Sequence, residues 1–366
     1  MVDQAEEFVW SGEGEDAEIL VRAPDEATAE RAIDRTLPAT RLPGVHSPVH
    51  AAASPENLGW VAVSGTHAAP GLFSAPVRGL LLLADVDAEN LGFPARDVAD
   101  LALRGLAEAG PSLPVLNEAG VRRVCEGGAG AAAEDGLVEE EDLAHLEPVE
   151  GDPDALGRRA LAAGTRDWEE GFGLAVAVVG EVLDSEGAEA LGVRRGLLTL
   201  AVRAWAGDLG RLALGTHRDR IVTRIRAGVE FGAGDDLPAA PLEAEEAADL
   251  IAAARAASNF ADARAARAVY ALRRVLGDVV GGLELRASWT VGGIEVRDGV
   301  LIHRNNLASV AEGDVLVSGG AVAVGTGKMW RSAPPFGAPE SEGRWPWEEA
   351  GLLERWAELD PTRGEG

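Results

Sequence analysis

The longest helical pattern in the chain spans residues 244–276 and places the strongest demand on the fold. Apolar residues, most of them alanine, recur there at the spacing of one helix face, which predicts an amphipathic helical region. We predict two helices joined near Asn259. Such a region has to bury its apolar face against other elements, so a large apolar partner surface must exist elsewhere in the chain.

Two nearly continuous apolar runs, residues 174–182 and 197–202, supply candidates for that surface. Their composition is typical of strands that are covered on both faces, so we place them centrally in a sheet. Other patterns predict strands at residues 17–21, 61–63 and 80–84, helices at 25–35 and 95–109, and a strand-rich region at 283–324 with a hairpin turn at Arg297-Asp298-Gly299. Strands and helices together predict an α+β fold.

The domain organisation follows from where this patterning stops. Residues 1–330 are predicted to form one large domain. Residues 331–366 form a tail rich in Pro, Gly and Trp, with a short amphipathic helix predicted around residues 347–356. Its tryptophans would anchor the tail on its own domain or contact a partner.

The charge of the chain indicates its solvent. The 61 acidic residues outnumber the 33 basic ones, giving a formal net charge of -28 that is spread along the sequence. Lys328 is the one lysine, so nearly all cations are arginine. This composition fits a cytosol of molar salt, where the Debye length falls to about 3 Å and self-repulsion is screened. We interpret the charge as halophilic adaptation, which does not by itself exclude an RNA partner.

Cysteine content and hydropathy limit the class of protein further. With Cys125 as the one cysteine, a disulfide framework is excluded, and no apolar run reaches the roughly 18 residues that span a bilayer. The first residues are acidic where a signal peptide would be basic. We therefore expect a cytoplasmic protein that is not embedded in a membrane.

Few local residue patterns suggest chemistry. His46 and His50 flank Pro48, which favours an extended segment and a structural role over metal ligation. The one locally basic patch surrounds His217, and its candidate phosphate contacts are Arg218, Arg220 and Arg224. The alternative is a surface strand whose arginines pair with nearby carboxylates. Molar salt favours this alternative, because it weakens phosphate contacts steeply.

Several segments, taken in order, resemble the RtcB family of RNA-splicing ligases. One of them is the helix whose Ala-rich run ends in Asn259-Phe260-Ala261, followed by Arg264, which comes one residue earlier than in the family. The others are the Leu-Pro-Gly segment of residues 42–60, the Glu-Gly-Ala helix with its acidic connector in 124–173, the strand pair of 174–198 and the His-Arg segment of 300–320. Together they cover roughly residues 38 to 325.

The resemblance implies a fold and an activity. The fold would be RtcB-like, with mixed β-sheets flanked by helices. Members of the family join RNA 3′-phosphate and 5′-hydroxyl ends with GTP and manganese, using an Asp, a Cys and several His as metal ligands and a further His as nucleophile. The positions that match the family and would contribute to binding are Asn259, Arg264, His303 and Arg304.

The chain departs from the family where the chemistry should be. The family's Asp-x-x-Cys-Gly segment falls on residues 73–79, which contain neither Asp nor Cys, and its Gly-Asn-His segment falls on 170–175, which contain neither Asn nor His. A further metal-binding His aligns with Arg203, and a third aligns near Trp289. The motif with the nucleophile would lie past Gly327, where the sequence does not match it. A Mn²⁺ site needs N, S and carboxylate donors that converge, and the aligned positions lack them.

We interpret the chain as a catalytically inactive RtcB-like paralogue without a cofactor. Its role would be RNA binding, or a regulatory contact with an active RNA ligase. Two alternatives remain. One is an active ligase with a rearranged site, which would need GTP and Mn²⁺. The other is a purely structural or interaction protein that uses its Trp-rich tail as the contact surface.

Overall fold

The structure is a computed structural model that describes residues 9–23, 25–52, 60–109, 115–146, 149–169, 172–231, 237–297, 299–308, 315–318, 321–325 and 353–361. The predicted α+β class is confirmed. The α-helices are α1 (Glu26–Thr36), α2 (Arg96–Ala109), α3 (Glu118–Glu134), α4 (Arg158–Asp167), α5 (Ser185–Leu191), α6 (Gly207–Arg226) and α7 (Glu245–Val280). No helix in the described part of the chain combines the length and apolar content needed to cross a bilayer.

The strands form one large mixed sheet and a two-stranded one. They are β1 (Val9–Glu13), β2 (Glu18–Arg22), β3 (His46–Ala52), β4 (Trp60–Gly65), β5 (His67–Ala68), β6 (Val77–Asp87), β7 (Gly173–Val182), β8 (Leu197–Trp205), β9 (Ala240–Pro241), β10 (Leu283–Arg297), β11 (Val300–Ala308), β12 (Val315–Ser318), β13 (Ala321–Gly325) and β14 (Leu353–Pro361). The large sheet has the order β1-β2-β3-β4-β11-β10-β6-β8-β7-β14-β13-β12, and β5 pairs with β9. β2 and β3 are parallel, whereas the central strands are antiparallel.

The predicted apolar strands lie where the sequence indicates. β7 and β8 are neighbours inside the large sheet, and β10 and β11 form the predicted hairpin, with Arg297 opposite Val300. Alternate residues of β8, from Leu198 to Ala204, enter a buried core together with Ala265, Val269 and Leu272 of α7. One face of the central sheet is therefore covered by α7.

The prediction of two helices joined near Asn259 is wrong, because α7 is one continuous helix of 36 residues. No proline or glycine interrupts it before Gly277. Alanine is the strongest helix former, and small side chains also let neighbouring elements approach closely. α7 packs on α2, α3 and α6 and on strands β6, β8 and β10.

The prediction of a short helix around residues 347–356 is wrong for the part that the structure describes. Residues 353–361 form β14, which pairs with β7 on one side and β13 on the other. The end of the tail thus contributes a strand to the large sheet. Residues 331–352 lie outside the described ranges.

A buried ion pair fixes α7 on the sheet. The guanidinium of Arg78 on β6 donates from Nε and Nη2 to both carboxylate oxygens of Asp262, at 2.5 and 2.6 Å. The Asp262 side chain is 1% exposed and that of Arg78 is 11% exposed. Such a two-pronged pair is geometrically specific, and loss of one partner leaves the other charge buried.

We expect Asp262→Asn to lower the free energy of unfolding by about 3–5 kcal/mol, because Arg78 would keep its buried charge without a carboxylate. Denaturant unfolding in molar KCl measures the change. The control is Asp208→Asn, since Asp208 pairs with Arg211 at an exposed site and its loss should cost less than about 1 kcal/mol. Equal effects of the two substitutions would contradict this role for the buried pair.

Candidate functional site

Four neighbouring strands bring four distant sequence segments to one level of the sheet. Trp289 of β10 lies opposite Gly79 of β6, Gly79 lies opposite Arg203 of β8, and Arg203 lies opposite Gly173 of β7. We call these four residues the central row. Residues at facing positions in adjacent strands project to the same face, so the row presents one Trp and one Arg beside two glycines.

Gly79 leaves room for the Trp289 ring, whereas Gly173 faces Arg203 at ordinary contact distance. A Cβ at Gly79 would collide with the ring of Trp289. At Gly173 it would lie 3.4 Å from the Cβ of Arg203. Trp289 is 6% exposed, so its ring fills the space above Gly79. The row is thus a packed surface, with Arg203 as its one charged side chain.

Arg203 lies on the opposite face of the sheet from α7. Its neighbours Val202 and Ala204 belong to the core under α7, and side chains alternate along a strand. Burial lowers the pKa of the half-buried Arg203 guanidinium from its usual value, although an arginine stays charged. Two residues further on, Trp205 is 37% exposed. This arrangement suits a planar oxyanion or phosphate, which arginine binds with its fork of N–H groups.

The donors for a metal ion are not gathered at this row. Within the described residues, no group of three or more His, Cys, Asp or Glu side chains is placed to hold a metal. A guanidinium offers no lone pair, and it repels a cation. Cys125 is buried in α3, and burial raises the pKa of its thiol.

Asn259 has a structural set of partners. Its Oδ1 accepts from the backbone N–H of Val149 at 3.0 Å, and its Nδ2 donates to the carbonyls of Cys125, Glu126 and Val149 at 2.8–3.0 Å. α3 is interrupted at Gly128, whose φ of 55° lies outside the helical region. The interruption disturbs the hydrogen bonding of the preceding carbonyls, and the fully buried Asn259 amide satisfies them.

Arg264, His303 and Arg304 lie at three different places. Arg264 donates to the carbonyl of Trp205 at 2.6 Å, at the end of the strand that carries Arg203. His303 is fully buried, and its Nε2 accepts from the N–H of Ala69 at 3.0 Å. Arg304 donates to Glu295 at 2.7 Å. The four positions that match the family therefore do not form one site, although Arg264 adjoins the central row.

His303 is held as a neutral ring. Since Nε2 accepts from Ala69, Nδ1 carries the proton and donates to the carbonyl of Val63 at 3.2 Å. Burial lowers its pKa from 6.5 to about 4. These bonds tie β11 to β4 and to the segment before β6.

The basic patch lies on helix α6, so the alternative of a surface strand is wrong. Arg220 pairs with Asp249 and Glu245, and Arg224 pairs with Glu246 at 2.8 Å. Pairing of this patch with carboxylates is therefore confirmed for two of its three candidate phosphate contacts. Arg218 is exposed. His217 is buried, with its Nε2 2.8 Å from the carbonyl of Ala155.

Two features of the structure were not found in the sequence. One is a cleft of about 590 Å³ between the end of α7 and the start of β10. Its lining includes Asp85 and Asp142, and Arg273 pairs with Asp142 at 2.5 Å. The other is a cluster of aromatic and arginine side chains around Arg264 and Arg267. The spacing of these two arginines by three residues on a helix was the available signal.

No protein-family model matches the chain, and no curated protein matches it either. The resemblance to the RNA ligases therefore stays a prediction from the sequence.

Replacing Asn259 tests its structural role. We expect Asn259→Ala to lower the free energy of unfolding by about 3 kcal/mol, because buried carbonyls and an N–H lose their partner. The matched control is Asn90→Ala at an exposed position, where the change should stay within about 0.5 kcal/mol. Denaturant unfolding of both variants measures the two changes. An Asn259→Ala protein as stable as the unaltered one would contradict the structural role of Asn259.

The buried His303 predicts a pH dependence. Its pKa is lower in the folded chain than the ordinary 6.5, so its contribution is complete above pH 6.5 and is lost as pH falls toward 4. The total is about 3 kcal/mol. NMR titration of the histidine rings should show one resonance that stays neutral below pH 5. If all six histidines titrate near 6.5, the assignment fails.

Proposed function

We propose that the chain is a divergent RtcB-like protein that does not ligate RNA and instead binds RNA through phosphate contacts at the central row. The resemblance in sequence assigns metal ligands or nucleotide contacts to four segments that are far apart in the chain. These are the segments that meet at Gly79, Gly173, Arg203 and Trp289. The four segments lie on four neighbouring strands of one sheet, in the order β10-β6-β8-β7, and this proximity is the observation that supports the proposal.

The chemistry of the row supports binding without metal. A His that ligates Mn²⁺ supplies a neutral nitrogen lone pair, whereas Arg203 at the aligned position supplies a fixed positive charge. The guanidinium thereby replaces part of the positive charge that a metal ion would direct toward phosphate oxygens. In this role the protein requires neither GTP nor Mn²⁺.

High salt around the protein favours a phosphate contact by a half-buried arginine over one by an exposed arginine. We place this role in a cytoplasm of molar salt, on the evidence of the net charge of -28. At that ionic strength exposed arginines such as Arg218 are screened within about 3 Å, whereas buried groups are screened less. Arg203, beside the partly exposed Trp205, therefore suits an RNA contact better than the α6 patch does.

The test is RNA binding measured by fluorescence anisotropy in molar KCl, with single-stranded RNA that carries a 3′-phosphate or a 3′-hydroxyl. We expect Arg203→Gln to weaken binding about tenfold, the value of one hydrogen bond to a charged group. Arg195→Gln is the control, because Arg195 is exposed in the turn before β8.

Two outcomes would contradict the proposal. One is the absence of RNA binding by the unaltered protein, and the other is equal affinity of the Arg203 and Arg195 variants. If the protein binds no RNA and instead comigrates with an active RNA ligase in size-exclusion chromatography, its role is a protein contact.

A further inference from the structure

A second group of arginines lies on the helix side of the sheet. Arg264 and Arg267 are one helical turn apart on α7, and they are 4% and 9% exposed. The Arg264 guanidinium carbon is 5.7 Å from the centre of the Trp205 ring, and that of Arg267 is 5.6 Å from the Trp168 ring. The centre of the Phe260 ring is 6.0 Å from the Arg264 guanidinium carbon and 6.1 Å from the centre of the Trp168 ring. We call these five residues the arginine–aromatic cluster.

Two partly buried arginines elsewhere in the described part of the chain pair with carboxylates. Arg78 bonds both oxygens of Asp262, and Arg273 bonds both oxygens of Asp142. This is the usual arrangement, because a buried charge without a partner is strongly unfavourable. It makes the different surroundings of Arg267 informative.

Arg267 has no such partner within the described part of the chain. Its Nε is buried and meets no hydrogen-bond acceptor there. The carboxylate of the exposed Glu169 raises the pKa of Arg267. Burial lowers this pKa by more, so the net shift is downward. The carboxylate of Asp167, which precedes Trp168 in the sequence, accepts from the N–H of Leu209 at the start of α6, at 2.6 Å. The Trp168 ring stabilises the guanidinium through its face but accepts no strong hydrogen bond.

We propose that Arg267, together with Arg264, forms a binding site for a phosphate group. An oxyanion would accept from Nε and a terminal nitrogen of Arg267 in the two-pronged geometry that guanidinium favours. Side chains three residues apart on a helix lie about 5–6 Å apart at Cβ, so both arginines can reach one ligand. Two cations in a buried setting match a dianionic phosphate better than a singly charged carboxylate.

The ligand is either free inorganic phosphate or a terminal phosphate on a larger molecule. This site is carried by Arg267 and Arg264 of α7, whereas the proposed RNA contact is carried by Arg203 of β8. The two sites share Trp205 as a neighbour, but the inference does not use Arg203. Binding of inorganic phosphate can be measured whether or not the protein binds RNA.

Isothermal titration calorimetry of potassium phosphate into the full chain, in KCl at constant ionic strength, tests the site. We expect saturable binding that Arg267→Met weakens about tenfold or more, as expected for lost hydrogen bonds to a charged group. Methionine keeps an unbranched chain over Trp168. The control is Arg195→Met in the exposed turn before β8, which should bind phosphate like the unaltered protein.

A second variant covers the case in which Arg267→Met does not fold, as judged by circular dichroism. Arg267→Lys keeps the charge and loses the fork, so phosphate affinity should fall while the protein remains folded. Tighter binding of uridine 3′-monophosphate than of inorganic phosphate would assign the phosphate to an RNA end, and the reverse would assign it to free phosphate. Absence of phosphate binding by the unaltered protein, or unchanged affinity in a folded Arg267 variant, would overturn the site.

Discussion

The packing of α7 is the constraint on which the rest of the structure depends. This helix contacts three strands of the central sheet and three other helices at once. Its buried residues are mostly alanine, so its backbone approaches all of these elements closely. Polar contacts then set its position: Asp262 bonds Arg78 of β6, and Asn259 holds the interrupted helix α3. The conformation of the surrounding elements follows from these fixed points.

A sheet fixed in this way has a defined register, and the register creates the central row. Shifting one strand by a single residue would turn Arg203 toward α7 and Val202 away from it. The apolar core under α7 prevents this shift, since Leu198, Leu200 and Val202 are all fully buried there. The arrangement of Gly79, Arg203 and Gly173 is therefore a consequence of core packing on the other face of the sheet.

The sequence predicted what depends on local periodicity and missed what depends on distant partners. The strands β7 and β8 follow from their apolar runs, and the hairpin of β10 and β11 follows from its turn. The sequence predicts a junction of two helices near Asn259, whereas the Asn259 amide bonds to the backbone of α3, and its partner Cys125 lies 134 residues away. Likewise β14 is a strand because β7 and β13 flank it, and no local pattern carries that information. The strand register that forms the candidate site likewise depends on distant partners and not on a local pattern.

We propose that this chain, which resembles the RtcB ligases in sequence, does not carry out the metal-dependent nucleotide chemistry of that family. The most direct measurement is self-guanylylation: the protein in molar KCl with Mn²⁺ and labelled GTP, with an active RtcB ligase alongside, followed by denaturing electrophoresis. The account predicts no label on this chain while the control ligase is labelled. Label retained on this chain under denaturing conditions would contradict it and would require a nucleophile that the central row does not contain.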